Sequence, residues 1–141
     1  FEGVIIQACD KLKDQEPTNL HLIAADATNL LDMFEENEIN KIFLNFSDPW
    51  PKSRHAKRRL TYKTYLDMYK VISNGEIEFK TDNRELFEFS IVSLNENNWK
   101  FLDLTFDLHN KEEDIITTEY EDKFSAKGNP IYFVRTKYKG E

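Results

Sequence analysis

This 141-residue sequence is poor in the residues on which several kinds of functional site depend. Its single cysteine, Cys9, cannot form an internal disulfide, which favours the cytoplasm as its compartment. Only four glycines are present and no Gly-x-Gly occurs, so the sequence contains no glycine-rich loop of the kind that holds a dinucleotide or phosphate. The three histidines are scattered without metal-ligand spacing, and we therefore expect no metal centre.

Long apolar runs are also absent. None reaches the roughly 18 residues of a membrane-spanning helix, and no signal-peptide pattern opens the chain. Hydrophobic residues make up 40% and charged residues 32%, which is typical of a globular protein rather than a disordered one. We therefore expect one domain over residues 1–141 that does not bind membranes.

The apolar residues that are present follow helical and strand periodicities in turn. Predicted helices cover residues 4–12, 27–36, 61–72 and 84–95, and predicted strands cover residues 20–25, 42–46, 76–80, 99–108 and 131–138. Asn74-Gly75 predicts a turn between a helix and the strand that follows it. Alternation of strand and helix predicts a mostly parallel sheet, and the two consecutive strands at the end predict an antiparallel hairpin at one edge. The predicted fold class is α/β with a Rossmann-like arrangement.

The most unusual stretch follows the predicted strand at residues 42–46. Asp48 comes two residues after this strand and would lie at its carboxyl end, where ligands bind in open α/β sheets. Pro49 and Pro51 have no N–H for a strand ladder, so they end the strand and stiffen the turn around Trp50. We interpret this turn as part of a ligand site with Asp48 pre-positioned in it.

A cationic segment, residues 52–59, continues from this turn. It contains His55 and five of the chain's 19 lysines and arginines: Lys52, Arg54, Lys57, Arg58 and Arg59. The chain as a whole carries a net charge of -7, so the segment forms a positive patch on an acidic protein. Such a patch suits RNA, because cations bind phosphates and aromatic rings stack on bases. A solvated loop without function is the alternative.

Two further aspartates follow predicted strands. Asp26 ends the strand at residues 20–25, and Asp82 follows the strand at residues 76–80. Each precedes a predicted helix, and an aspartate there commonly caps the helix by accepting a backbone N–H. The sequence therefore leaves helix capping as the simple explanation for both residues.

The central stretch resembles the signature of a known enzyme family. Asp48-Pro49-Trp50-Pro51-Lys52, followed by Arg54-His55 and Lys57-Arg58-Arg59-Leu60, is similar to the signature of the bacterial tRNA (guanine-N7)-methyltransferases. Two weaker matches follow in the same order, Lys80-Thr81-Asp82-Asn83 and Thr118-Glu119-Tyr120-Glu121 with Lys123-Phe124. The resemblance extends over the length of the chain.

The resemblance implies a class I methyltransferase that uses S-adenosylmethionine to methylate N7 of the guanosine at position 46, in the variable loop of transfer RNA. It implies that Asp26 and Asp48 bind the cofactor and that Asp48 is also catalytic. Substrate-binding residues would be Lys52, Asp82, Thr118 and Glu121, and the remaining RNA contacts would be Arg54, His55, Lys57, Arg58 and Arg59.

One departure from the family pattern concerns the cofactor. Enzymes of this family carry a glycine-rich loop and a later acidic residue before the region that this sequence matches. We therefore expect the N-terminal third to be missing here, so that activity belongs to the complete protein and is in doubt for these residues alone. Two alternatives stay open: a non-catalytic RNA-binding module, and a methyltransferase that modifies exocyclic amino groups. The sequence leaves the oligomeric state open, with a homodimer as one possibility.

Overall fold

The computed structural model describes residues 18–110 and 130–140, together with Gln7, Asp10 and Lys13. A four-stranded sheet is formed by β1 (Ile42–Asn45), β2 (Glu76–Thr81), β3 (Trp99–Thr105) and β4 (Tyr132–Tyr138). The α-helices are α1 (Leu30–Met33), α2 (Lys63–Ile72) and α3 (Arg84–Glu96), and 3-10 turns cover Ala27–Asn29, Ser53–Arg58 and Leu108–Asn110. No helix in this part of the chain is long and apolar enough to span a bilayer.

The strands are ordered β1-β2-β4-β3 across the sheet. β1 and β2 are parallel, with Leu44 opposite Phe79, whereas β4 is antiparallel to both of its neighbours. The carboxyl ends of β1, β2 and β3 therefore share one edge of the sheet, which we call the carboxyl edge. The predicted α/β fold with an antiparallel hairpin at its C-terminal edge is confirmed.

Helices α2 and α3 pack against one face of the sheet because their apolar residues recur at helical spacing. In α2 the buried residues are Tyr65, Leu66, Tyr69 and Ile72, and in α3 they include Leu86, Phe87 and Leu94. They join the sheet residues Leu44, Ile77, Phe79 and Val134 in the main core. Each fully buried side chain of this size stabilises the fold by roughly 1.5 to 3 kcal/mol, so this face carries most of the stability of the described part.

The predicted buried strand at residues 20–25 is wrong. These residues adopt no strand, and Leu20, Leu22 and Ile23 are 44%, 39% and 61% exposed. A buried strand needs a neighbour that accepts and donates its backbone hydrogen bonds, and no strand of the described part pairs with this segment. An apolar run alone therefore does not establish strand pairing.

Other differences concern the ends of elements. The predicted helix at residues 4–12 lies outside the described residues apart from Gln7 and Asp10, which are helical. The predicted helix at residues 27–36 is shorter: it begins as a 3-10 turn at Ala27–Asn29 and continues as α1, which ends at Met33. β3 stops at Thr105 because the chain turns there, and the Leu108 N–H donates instead to the carbonyl oxygen of Ile131 at 2.9 Å.

The turn predicted at Asn74-Gly75 is confirmed and depends on its glycine. Gly75 has a φ of 78°, which side-chain-bearing residues rarely adopt, and its carbonyl oxygen accepts the N–H of Tyr138 at 2.7 Å. A Cβ at this position would come within 2.9 Å of the Tyr138 Cβ. Gly75 therefore lets α2 turn tightly into β2 against the end of β4.

Candidate functional site

The turn that follows β1 at the carboxyl edge presents Asp48 to solvent. Phe46 and Trp50 lie on either side of it with φ values of 54° and 44°, in the left-handed region. A residue other than glycine in that region costs on the order of 1 to 3 kcal/mol and persists only where the surroundings hold it. We call residues 46–50 the Asp48 turn, and its conformation must be fixed by contacts at both ends.

The first end of the Asp48 turn is held by Phe46. Its N–H donates to the carbonyl oxygen of Lys80 in β2 at 2.9 Å, which ties the turn to the neighbouring strand. Its ring packs against a second, smaller core cluster of Leu108, Ile131 and Phe133. A backbone bond and side-chain burial together therefore fix where the turn leaves the sheet.

The second end is held by Arg59. Its Nε lies 3.1 Å from the carbonyl oxygen of Pro49 and 3.2 Å from that of Trp50, and its Nη2 donates to Trp50 at 2.9 Å. The guanidinium also lies over the ring of Phe89 in α3, with its Cζ 4.6 Å from the ring centroid. A half-buried arginine thus joins the turn to a core helix.

Within the cationic segment, Ser53–Arg58 forms a 3-10 helix. Lys52, Arg54, Lys57 and Arg58 are exposed, so their charges remain available to a ligand. The Arg58 Cζ lies 4.9 Å from the centroid of the Trp50 ring. The predicted cationic patch is therefore present on the surface beside Asp48.

His55 and Arg59 differ from the other basic residues of this segment because both are half-buried. The His55 ring meets the Trp50 ring edge-on, with centroids 5.7 Å apart. Arg59 points its Nε and Nη2 at the chain's own carbonyl oxygens. Contacts of His55 and Arg59 with RNA stay predictions, and for Arg59 the structure shows an internal role as well.

The end of the basic segment is fastened to the helices by buried hydroxyl groups. The hydroxyls of Thr61 and Ser90 are 2.7 Å apart, and Ser93 donates to the carbonyl oxygen of Thr61 at 2.6 Å. The Tyr69 hydroxyl donates to the carbonyl oxygen of Leu60 at 2.7 Å, and burial raises the pKa of Tyr69. The sequence did not indicate these contacts, because serines in a helical pattern resemble ordinary surface positions.

Asp82 follows β2 directly and is half-buried at the carboxyl edge. The suggestion that Asp82 caps α3 is wrong, because Asn83 is the cap: its side-chain oxygen accepts the N–H of Leu86 at 2.8 Å. The ligand-binding role of Asp82 stays a prediction. Thr118 and Glu121, the other predicted contacts to the target base, lie outside the described residues.

Asp26 is exposed and caps the 3-10 turn at Ala27–Asn29, where it accepts the N–H of Thr28 at 2.9 Å. Hydrogen bonds from Thr28 hold the pKa of Asp26 below its usual value. The pKa of Tyr65 is raised mainly by burial and, to a smaller extent, by the negative charge of Asp26. Tyr65 lies in the first turn of α2, and a helix that joins two parallel strands begins at their carboxyl edge. Asp26 therefore lies on the same edge of the sheet as Asp48.

The described residues fit an adenosine-containing cofactor only in part. Asp26 and Asp48 supply carboxylates at the carboxyl edge, which suit hydroxyl, amine or sulfonium groups. No glycine-rich cradle accompanies them: among the described glycines, Gly75 precedes β2 at the opposite edge and Gly140 follows β4. Within the described ranges, no three His, Cys, Asp or Glu residues are grouped to hold a metal ion.

Comparison with known proteins places this chain in a family. Residues 1–134 match a family described as "Putative methyltransferase". A tRNA (guanine-N(7)-)-methyltransferase of Bacillus cytotoxicus is 54% identical over 144 aligned residues, which cover 100% of this chain and 66% of that protein. An enzyme of the same name from Pediococcus pentosaceus is 52% identical, over 96% of this chain and 66% of its own length. The chain thus spans slightly less than two-thirds of these relatives. It belongs to this methyltransferase family, as the motifs around Asp48 predicted.

Proposed function

We propose that the complete protein transfers a methyl group from S-adenosylmethionine to N7 of a guanosine in transfer RNA, in the cytoplasm. The observation that carries the proposal is the Asp48 turn, held at both ends and bordered by an exposed cationic segment. The 54% identity to a relative named for this reaction supports it. As in the sequence analysis, we propose position 46 in the variable loop as the modified guanosine.

The residues at the site suit this chemistry because N7 of guanine carries a lone pair and no proton. No general base or covalent nucleophile is needed to make it reactive. When bound, S-adenosylmethionine supplies an electrophilic methyl group, which the N7 lone pair takes as the carbon–sulfur bond breaks. The protein has to align the two reactants and exclude water, and such alignment alone can account for roughly 7 to 11 kcal/mol of a barrier.

Asp48 is proposed to lie between the methionine end of the cofactor and the target base. Its carboxylate can attract the positive charge of the cofactor, and the held turn fixes the position from which it does so. Asp26 is proposed to contact the adenosine end while it caps Ala27–Asn29. The glycine-rich loop that would complete the cofactor site is absent from this sequence, so these two residues supply part of the site.

Guanine would be selected through its Watson–Crick edge. That edge presents two donors, N1–H and the exocyclic amino group, which a carboxylate can accept together. Adenine does not present this pair. We propose that Glu121, with help from Asp82, accepts these donors and that Thr118 also binds the target guanosine. Lys52 is proposed to bind the substrate next to Asp48.

The test uses the complete protein, unmodified transfer RNA and S-adenosylmethionine with a labelled methyl group. We expect label at N7 of one guanosine, mapped by nuclease digestion and mass spectrometry. A matched transfer RNA made with 7-deazaguanosine keeps the shape and charge of the substrate but has carbon in place of N7. It should bind with similar affinity and take up no label.

Two results would contradict the proposal. Binding of transfer RNA without label on any base would leave a non-catalytic RNA-binding module. Label on an exocyclic amino group, retained in the 7-deazaguanosine RNA, would indicate the amino-methylating class instead.

The cationic segment gives a prediction of its own on RNA affinity. Replacing Arg54 and Lys57 together by alanine should weaken transfer RNA binding. The plot of the logarithm of the association constant against the logarithm of salt concentration should become less steep by about 2, roughly one for each lost phosphate contact. The control is Lys100→Ala with Lys137→Ala, a pair of exposed lysines opposite each other on β3 and β4. An equal change in slope for both pairs would show that overall charge, rather than this segment, binds the RNA.

A further inference from the structure

We infer that Arg59 is a positioning residue that holds the Asp48 turn in its reactive conformation, a role separate from the RNA contact implied by its place in the basic segment. The inference rests on the proposed function, because it concerns how Asp48 is aligned. It is carried by three donor–acceptor distances of 2.9 to 3.2 Å between the Arg59 guanidinium and the carbonyl oxygens of Pro49 and Trp50.

The contact requires the shape of a guanidinium as well as its charge. One side chain reaches two successive carbonyl oxygens with two different nitrogens, Nε and Nη2, which lie in one plane at a fixed spacing. A lysine has a single flexible ammonium group and cannot reproduce this geometry. The interaction therefore fixes the direction of the Pro49 and Trp50 carbonyls, and with it the backbone immediately after Asp48.

The turn needs such an anchor because of its backbone strain. Trp50 has a φ of 44°, and without an external contact it would relax toward negative φ. Phe46 holds the first end through Lys80 and the small core cluster, but it lies two residues before Asp48. At the second end, His55 and Arg58 contact the ring of Trp50, whereas Arg59 is the residue whose described hydrogen bonds reach the backbone of the turn.

Arg59 is itself held in place by α3. Its guanidinium lies over the ring of Phe89, and the neighbouring Thr61 is hydrogen-bonded to Ser90 and Ser93 of the same helix. Contacts with α3 therefore fix Arg59, and Arg59 in turn fixes the Asp48 turn. Ser90 and Ser93 are among the buried residues of α3, so their hydrogen bonds to Thr61 are shielded from water.

Neighbouring arginines have different roles in this arrangement. Arg58 is exposed and its guanidinium lies over the ring of Trp50, whereas Arg59 is half-buried and faces the backbone. Arg54 is exposed and has a charge of the same kind. Arg54 is thus the matched control for Arg59: both belong to the basic segment, but only Arg59 contacts the Asp48 turn.

The kinetic test compares Arg59→Lys, Arg59→Met and Arg54→Ala in the complete protein with transfer RNA as substrate. Arg59→Lys keeps the charge and loses the planar donors, and Arg59→Met keeps the apolar stem over Phe89. We expect both to lower kcat by about 10- to 100-fold with KM for transfer RNA changed less than about threefold in Arg59→Lys. Arg54→Ala should instead raise KM, with a smaller effect on kcat.

A second readout does not depend on activity. It uses fluorine-19 NMR of protein that contains 5-fluorotryptophan. The Trp50 resonance is assigned as the signal that disappears in the Trp50→Phe variant. We expect this resonance to shift or broaden in Arg59→Lys and Arg59→Met and to stay in place in Arg54→Ala. Thermal unfolding of each variant verifies that it is folded, and Arg59→Lys is the less disruptive of the two Arg59 variants.

An unmoved Trp50 resonance in both Arg59 variants would overturn the inference, whatever reaction the protein catalyses. A moved resonance with unchanged kcat would also overturn it, because the turn would then tolerate loss of its anchor. If the protein methylated no RNA, the proposed function would fail, and the resonance would still decide whether Arg59 holds the turn.

Discussion

Replacing Asp48 by alanine in the complete protein is expected to lower kcat for methylation of transfer RNA by at least about 100-fold. The reason is geometric and electrostatic together: the carboxylate stands on a strained turn that is fixed at Phe46 and at Trp50, so its position is set before any ligand arrives. Transfer RNA binding should change little, because the cationic residues next to the turn are retained. Single-turnover kinetics with labelled S-adenosylmethionine, beside filter binding of the RNA, measure the two effects separately.

Two variants define what the loss means. Asp48→Asn keeps the shape of the side chain and removes its charge, so a loss close to that of Asp48→Ala would assign the effect to the carboxylate charge. Asp32→Ala removes another exposed carboxylate, in α1 rather than in the Asp48 turn, and should keep kcat within about twofold and stability nearly unchanged. Full activity of Asp48→Ala would contradict the proposed role.

The parts of the fold that the sequence predicted correctly are those set by local physical rules. The strand predicted at residues 42–46, which is β1, could be recognised from its short apolar run, and α2 and α3 could be recognised because apolar residues recur at helical spacing. The turn at Gly75 follows from the residue type that adopts such a positive φ most readily. Such features depend on neighbours in sequence, so they can be read without knowing the rest of the fold.

The strand predicted at residues 20–25 failed for the opposite reason. Pairing is a property of two segments, and an apolar run carries no information about whether its partner is present. Ile23 shows the consequence, since it is 61% exposed in a segment that resembles a core strand. Apolar residues at 20–25 are what a core strand would contain, but they do not show that the segment pairs with another strand.

Within the candidate site, residue types were easier to predict than their partners. The sequence indicated that Asp48 lies at a carboxyl edge and that the following segment is cationic. It did not distinguish Asp82 from Asn83 as the cap of α3, because both are good caps and the choice depends on where the helix begins. Nor did the sequence distinguish the role of Arg59 from that of the neighbouring basic residues. The Arg59 side chain binds the carbonyl oxygen of Trp50, and the positive φ of Trp50 could not be predicted from the sequence.

Phe87 gives the prediction with the largest expected effect on stability. It is 0% exposed in α3, and its ring contacts those of Phe79, Phe106 and Tyr132 at centroid distances of 6.4, 5.3 and 5.3 Å. Phe87→Ala should lower the free energy of unfolding by about 3 to 5 kcal/mol, because transfer of the ring to water and the cavity left behind both contribute. Urea unfolding followed by circular dichroism measures the change.

Val92→Ala is the matched control, since it truncates an apolar residue of the same helix that is 55% exposed. It should change the free energy of unfolding by no more than about 0.5 kcal/mol. Similar losses in both variants would show that burial of Phe87 does not set the stability of α3, because alanine is the better helix former at both positions. A large loss confined to Phe87→Ala would place the stability in the aromatic cluster. Tyr132 begins β4 at the carboxyl edge and pairs with Thr81, the residue before Asp82. Loss of packing in this cluster should therefore also make the positions of Asp82 and of the start of α3 less well defined.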